Sequence, residues 1–391
     1  MEPEDVMSRA ERVVADLEAR GHSMCLTYAG VVLAFCCQDA AVAEWIRQFC
    51  EGYFTPSAAA AEDVGIYATA DPALLAVLCA STSNRPAAGK YEYAEIPFTD
   101  SVTLVGKSAG KFPQGDGVYL LLFREQRRIL LVTPDEVEVQ REEGMQILRA
   151  AGKWLLLERG WIPMHSACVA KNGRAVCVAG EKASGKTSTM LNLLARNGCD
   201  LVAPDKFLLR EDGQRLEACG VPGKIGVRVG SVVVQPRLLD WLDREESPFF
   251  PHISLDEVQR IAETNTPEQL RERKEKIPLL PTELAGLFGT SIVPTAPLGL
   301  LLLPVFDPDL EESRLVRVEP DQAITVLRKS YVSLLSKAEG FLLTFFDLHD
   351  ALLEQRLAVL LDEHLPGVAA YEVHQSHTTN EQTAELVEAL L

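Results

Sequence analysis

The chain has 391 residues, enough for one large domain or two of ordinary size. An apolar fraction of 47% with 24% charged residues excludes a disordered or fibrous chain. A formal net charge of −18 argues against a broad nucleic-acid footprint and points to small molecules or proteins as partners. Along the chain, apolar positions at helical spacing predict a helix over 4–20. Gly21 stops it, and an apolar run from Leu26 to Cys37 then reads as two short strands turning at Ala29-Gly30. Residues 40–54 read as a helix. Between Tyr91 and Val139 four segments are strand-like: 91–93, 102–105, 118–123 and 128–132. This composes a small α+β domain whose exposed strand candidates would recognise a protein, peptide or carrier-bound substrate.

Apolar residues from Met145 to Arg159 recur at helical spacing until Gly160, so a helix is expected to lead into a second domain, with the boundary near residue 140. The domains are thus 1–140 and 141–391. Strands are predicted at 167–170 and 175–179 around an Asn172-Gly173 turn, then a glycine loop, a helix from Lys186 to Arg196 and a strand over 200–203. Beyond residue 250, prolines at 278, 281, 294, 297 and 304 interrupt the chain. Residues 300–306 read as a buried strand, 322–335 and 341–362 as helices, and the mixed-sign run 271–276 as an exposed helical face or, alternatively, a lid carrying a cation.

Nine cysteines, an odd number without a Cys-x-x-Cys pair, read as reduced core residues. The acidic start Met1-Glu2-Pro3-Glu4-Asp5 is no signal segment, and runs such as Leu300–Leu303 fall short of the roughly 20 residues that span a bilayer. A cytoplasmic protein without membrane contact is expected. His374 and His377 lack partners at metal-binding spacing.

The chemistry concentrates in Gly180-Glu181-Lys182-Ala183-Ser184-Gly185-Lys186-Thr187. A phosphate chain needs inward N–H donors, a cation and a helix N-terminus, and this loop between a strand and a helix supplies all three. Gly180, Ala183, Ser184, Gly185, Lys186, Thr187 and Ser188 are the expected nucleotide-binding residues, with Lys186 on the outer phosphates and the Thr187 hydroxyl on Mg²⁺. Neither Asn-Lys-x-Asp nor Leu-Ser-Gly-Gly-Gln occurs, which sets aside switch GTPases and transporter ATPases.

Met164-His165-Ser166-Ala167 before the loop and Leu201-Val202-Ala203-Pro204-Asp205 after its helix complete a set. It resembles the catalytic domain of HPr kinase/phosphorylase and its relatives, which share a core with ATP-dependent phosphoenolpyruvate carboxykinase. The similarity covers residues 160–235 well and the remainder faintly. It implies an α/β fold of that P-loop kinase type, ATP and Mg²⁺ as cofactors, and transfer to a hydroxyl of a peptide, protein or small molecule. The resemblance makes His165, Lys186 and Asp205 catalytic, and Thr187, Asp205 and Glu217 the metal-binding positions. Pro204 stands where the family has the first of two acids, leaving one carboxylate for two tasks. Cys219 replaces an arginine in Leu216-Glu217-Ala218-Cys219-Gly220, and the carboxyl-terminal region is acidic where the HPr-regulating members are lysine-rich. The expected enzyme is therefore a relative acting on something other than HPr, as in peptide or natural-product maturation.

His165, an imidazole near a strand start, can act as a base near neutral pH. Asp205 follows an apolar strand, where a carboxylate would face the loop. Lys224 and Arg228 alternate along a strand and share a face, as a substrate clamp or as a solvated surface. The alternative to a kinase is a nucleotide-binding regulatory protein, and homo-oligomer formation is left open.

Overall fold

The structure, a computed structural model, describes residues 3–58, 61–82, 93–99, 101–107, 117–182, 184–244, 253–266, 269–270, 273–307, 309–334, 342–376, 379 and 382–391. It is a mixed α/β protein that divides into two compact units, 1–160 with 333–350, and 161–332 with 351–391.

The first unit opens with helix α1 (Pro3–Arg20), acidic in its first turn and basic in its last, as the helix dipole favours. Strands β1 (His22–Tyr28) and β2 (Val31–Cys37) form a hairpin whose turn residues Ala29 and Gly30 both have positive φ (45° and 86°). Helix α2 (Ala40–Cys50), capped by the Asp39 carboxylate accepting from Ala41 N, is shorter than expected, because Thr55–Pro56 (β3) returns to pair with β1. Then come β4 (Val64–Thr69), α3 (Pro72–Thr82), β5 (Tyr93–Pro97), β6 (Val102–Lys107), β7 (Val118–Phe123), β8 (Arg128–Val132) and α4 (Val137–Glu158). Tyr91 and Glu92, expected in a strand, lie outside the described residues.

The sheet order is β3-β1-β2-β4-β8-β7-β6-β5, with parallel pairing at β2-β4 and β4-β8. Cys36, Tyr67, Leu130 and Val132 cover Val6, Ala10, Val14 and Leu17 of α1 and Leu74 and Leu78 of α3. Helix α4 lies on this unit's sheet, its Gly144 and Gly152 approaching Phe35 and Leu33, so the helix expected to open the second domain closes the first. Strands β7 and most of β8, expected to be exposed, are buried.

The helix expected over 341–362 is two: Leu343–Phe346 and Asp350–His364, parted at Asp347 with φ 49°. Its first piece belongs to the first unit, where Phe346 stacks on Trp154 (6.1 Å between centroids) under the Arg127 guanidinium.

The second unit carries β9 (Ile162–Met164), β10 (Ala167–Lys171), β11 (Arg174–Val178), α5 (Lys186–Asn197), β12 (Asp200–Ala203), β13 (Phe207–Asp212), β14 (Arg215–Gly220), β15 (Ile225–Arg228), α6 (Val229–Val233), α7 (Pro236–Arg244), α8 (Leu255–Thr264), β16 (Lys276–Leu279), β17 (Thr295–Phe306), β18 (Arg314–Arg317) and β19 (Ala369–Gln375). Its main sheet runs β12-β10-β11-β17-β14-β13-β9, and β19 joins on β17. Strand β17 serves two sections: 295–297 pair with β14, whereas residues from Leu298 onward pair with β11 and β19.

Period-2 alternation assigns each strand residue to one of two cores. Val169, Val176, Val178, Leu300 and Leu302 pack with α5 and α6 to α8, while Cys168, Cys177, Leu301 and Leu303 pack against Phe207, Leu209, Met164 and the helices Pro320–Lys329 and Asp350–His364. The helix expected over 322–335 ends at Lys329, and Leu335 lies outside the described residues. Strand β19 and the final helix Gln382–Glu388 were not anticipated; the latter binds α5 through Asn197 Nδ2 donating to Ala384 O (3.0 Å).

The nine cysteines are thiols, and seven are buried. Among the described residues no helix is long and apolar enough to cross a membrane.

Candidate active site

Registers on β10 fix where the loop emerges. Ala167 pairs with Val178, and Cys168 pairs with both Cys177 and Ala203. His165 before β10, Gly180 after β11 and Asp205 after β12 therefore gather at one edge of the sheet. Two of these positions are also seams: the chain leaves β9 for β10 through His165-Ser166, and leaves β12 for β13 through Pro204-Asp205-Lys206.

The loop needs its glycines. Gly180 and Gly185 have φ of 153° and 106°, in the region closed to side chains. A Cβ on Gly180 would stand 2.9 Å from Ser184 Oγ, and one on Gly185 would strike the Gln375 amide. Gly185 is the N-cap of α5 and supplies no side-chain acceptor, so the first-turn N–H groups and the positive helix end face the loop. Ser184 Oγ is buried with no hydrogen-bond partner among the described residues. Buried hydroxyls are nearly always bonded, and a phosphate oxygen would complete this one. Thr187 and Ser188 are half-buried in the same turn; Ala183 lies outside the described residues.

Lys186 Nζ donates to the carbonyls of Gly180 (2.7 Å) and Glu181 (2.8 Å). Burial holds its pKa below the ordinary lysine value, partly offset by the Asp205 charge. Asp205 Oδ1 lies 3.0 Å from His165 Nε2, and its Oδ2 lies 3.9 Å from Lys206 Nζ. Desolvation raises the Asp205 pKa, but the His165 hydrogen bond and the charges of His165, Lys206 and Lys276 outweigh it, leaving the carboxyl below its usual range. The backbone holds His165 from the other side: His165 N donates to Ser330 O (2.7 Å), and Val332 N to Pro163 O (3.0 Å). The same segment places Lys329 Nζ 3.7 Å from Glu181 Oε1 of the loop.

Beneath the loop, Gln375 is 2% exposed; its Nε2 donates to Thr189 Oγ1 (3.0 Å) and its Oε1 accepts from Thr383 Oγ1 (3.3 Å). This ties α5, β19 and the final helix together.

Glu217 does not join the site. It pairs with Arg210 (2.7 Å) across β13 and β14, three residues along from the Phe207-Gly220 end, or about 10 Å at roughly 3.3 Å per residue. Lys224 and Arg228 do share an outward face, since Ile225 and Val227 between them are buried. The expected helical face over 271–276 is corrected at its end, where Lys276 begins a strand opposite Arg228; Arg271 and Glu272 lie outside the described residues. His374 pairs with Glu372 (2.9 Å), and His377 lies outside the described residues. Sequence reading missed Lys329 and Gln375, for which no local pattern gives a signal.

No family model and no curated protein matches this chain. No family is assigned. Among solved structures, the HPr(Ser) kinase/phosphatase from Coxiella burnetii is similar at 12% identity, covering 58% of this chain and 95% of that one with a TM-score of 0.26. That likeness is too slight to bear on the site, which rests on the residues above.

Proposed function

We propose that the protein is an ATP-dependent phosphotransferase that moves the γ-phosphoryl group to a hydroxyl of a peptide, protein or small molecule. The observation that carries this reading is the juxtaposition of the His165-Asp205 pair with Lys186 and an uncapped helix N-terminus at one sheet edge. Phosphoryl transfer asks chiefly for positioning and charge stabilisation, and the loop offers both.

In this reading the backbone of 180–188 and Ser184 Oγ hold the phosphates, and Lys186 exchanges its two loop carbonyls for the outer phosphate oxygens. Lys329 is placed to reach the same end of the nucleotide. Thr187 and Asp205 are oxygen donors suited to Mg²⁺, which takes one or two protein ligands and completes its shell with phosphate and water. When bound, the ion would neutralise charge on the phosphates. The acceptor oxygen forms a bond to the γ-phosphorus, the bond to the bridging oxygen of ADP breaks, and the hydroxyl proton passes to Asp205 or, through it, to His165. In this proposal the first unit serves substrate or partner recognition.

A second reading, a nucleotide-binding regulator without transfer, is favoured by Pro204, which supplies no side-chain carboxylate beside Asp205. Labelled ATP separates the two when the protein is incubated with Mg²⁺ and an acceptor library or lysate. Acceptor labelling lost in Lys186→Ala and Asp205→Asn supports the transferase. Tight nucleotide binding with no labelled product supports the regulator.

A further inference from the structure

Two lysines converge on residue 181 of the glycine loop. Lys186 Nζ donates to its carbonyl (2.8 Å) and to that of Gly180 (2.7 Å), and Lys329 Nζ stands 3.7 Å from its carboxylate. Lys329 ends the helix Pro320–Lys329, and the chain that follows is laid against β9. His165 N donates to Ser330 O (2.7 Å), Tyr331 bridges to Met164, and Val332 N donates to Pro163 O (3.0 Å). Ser330 itself is buried. Lys329 therefore reaches the loop from fixed backbone, one residue away from the contact that holds His165. The Glu181 and Lys329 side chains are 84% and 66% exposed, and an ion pair so exposed is worth little. A group carrying more negative charge than a carboxylate takes the lysine from it readily.

We infer that Glu181 and the third phosphate of the nucleotide compete for Lys329, which makes this pair a determinant of triphosphate over diphosphate binding. This rests on the phosphotransfer reading. In that reading the end of the nucleotide that meets His165 and Asp205 is the γ-phosphate, and Lys329 is presented beside His165. The inner phosphates call on the loop N–H groups and the first turn of α5, and ask nothing of Lys329. With ATP, Lys329 joins Lys186 on the γ-phosphate oxygens and Glu181 turns to solvent. With ADP, the lysine stays on the carboxylate.

The test measures the affinity of the full chain for the non-hydrolysable triphosphate AMPPNP and for ADP, each with Mg²⁺, by calorimetry. Lys329→Met is expected to weaken AMPPNP about two- to five-fold and to leave ADP unchanged, whereas Lys329→Arg keeps the wild-type ratio of the two affinities. Glu181→Gln tightens AMPPNP relative to ADP, and this gain disappears in the Lys329→Met background, because Glu181 acts through the lysine. Melting temperatures of these variants stay near wild type, since both side chains are exposed. A Lys329→Met protein that shifts both nucleotides equally, or neither, overturns this inference alone. So does a Glu181→Gln gain that persists without Lys329, which would be direct repulsion between Glu181 and phosphate. A wild type that binds neither nucleotide overturns the phosphotransfer reading and this inference with it.

Discussion

His165 and Asp205, 40 residues apart in sequence, meet at 3.0 Å between Nε2 and Oδ1 where the chain twice crosses from one section of the second unit's sheet to the other. Each is held from a different strand end, so the pair reports that both crossings are in place. If it serves transfer, Asp205→Asn lowers the transfer rate by roughly 10²- to 10⁴-fold while nucleotide still binds. His165→Gln does the same to a smaller degree. The double variant is no worse than Asp205→Asn alone, because residues acting as a unit are not additive. Single-turnover kinetics of the three variants check this.

The same pair sets a pH dependence. The Asp205 carboxyl sits below its ordinary range in the fold, its burial penalty outweighed by His165, Lys206 and Lys276. A carboxylate depressed in the folded state stabilises the protein above its unfolded pKa, and that contribution is lost as pH falls through the folded value. Wild type should therefore exceed Asp205→Asn in melting temperature near neutrality and lose the advantage below about pH 4, the unfolded aspartate value. A gap that is constant with pH would contradict the assignment.

Gly185→Ala should be severe. The residue has φ 106°, and a methyl there meets the Gln375 amide. Forcing a side chain into left-handed backbone costs about 1–2 kcal/mol before any clash. We expect a melting temperature several degrees lower and loss of nucleotide binding, measured by thermal denaturation with and without Mg·ATP.

Gln375→Ala leaves the buried hydroxyls of Thr189 and Thr383 without their partner. An orphaned buried polar group costs about 1–3 kcal/mol, so urea unfolding should shift by that amount. Lys329→Met instead removes an exposed cation, 3.7 Å from Glu181, and should leave stability unchanged while weakening nucleotide binding about two- to five-fold.

Burial pushes the thiols of Cys177 and Cys199 up to about 12, so they stay protonated and unreactive. Of the nine cysteines only Cys25 and Cys79 are partly exposed. A thiol reagent should modify these two in the native protein and the remaining seven only after unfolding.

Much of this was legible in the sequence because tight turns and glycine loops demand residues at fixed spacing. The Asn172-Gly173 turn, with φ of 52° and 74°, and the loop at 180–187 depend on local backbone alone. His165 and Asp205 could be placed because strand ends announce themselves by the apolar runs that precede them. Glu217 was misplaced because nothing local says that Arg210 lies across the hairpin; register decides it. Lys329 and Gln375 are single polar residues in unremarkable segments, brought in by pairings between distant strands and helices. Strand β4 passed unread because Val-Gly-Ile-Tyr-Ala-Thr is buried on both faces and lacks alternation. The domain boundary was misjudged at 140 because α4 announces a helix but not which sheet its glycines fit.

The most direct test of the central claim, that residues 180–188 form a nucleotide phosphate site, is calorimetric titration of the full chain with ATP in Mg²⁺. Wild type is expected to show saturable one-site binding that Lys186→Ala weakens about 10- to 100-fold, the loss of a charged contact to phosphate. Absence of binding, or equal binding by Lys186→Ala, would contradict it.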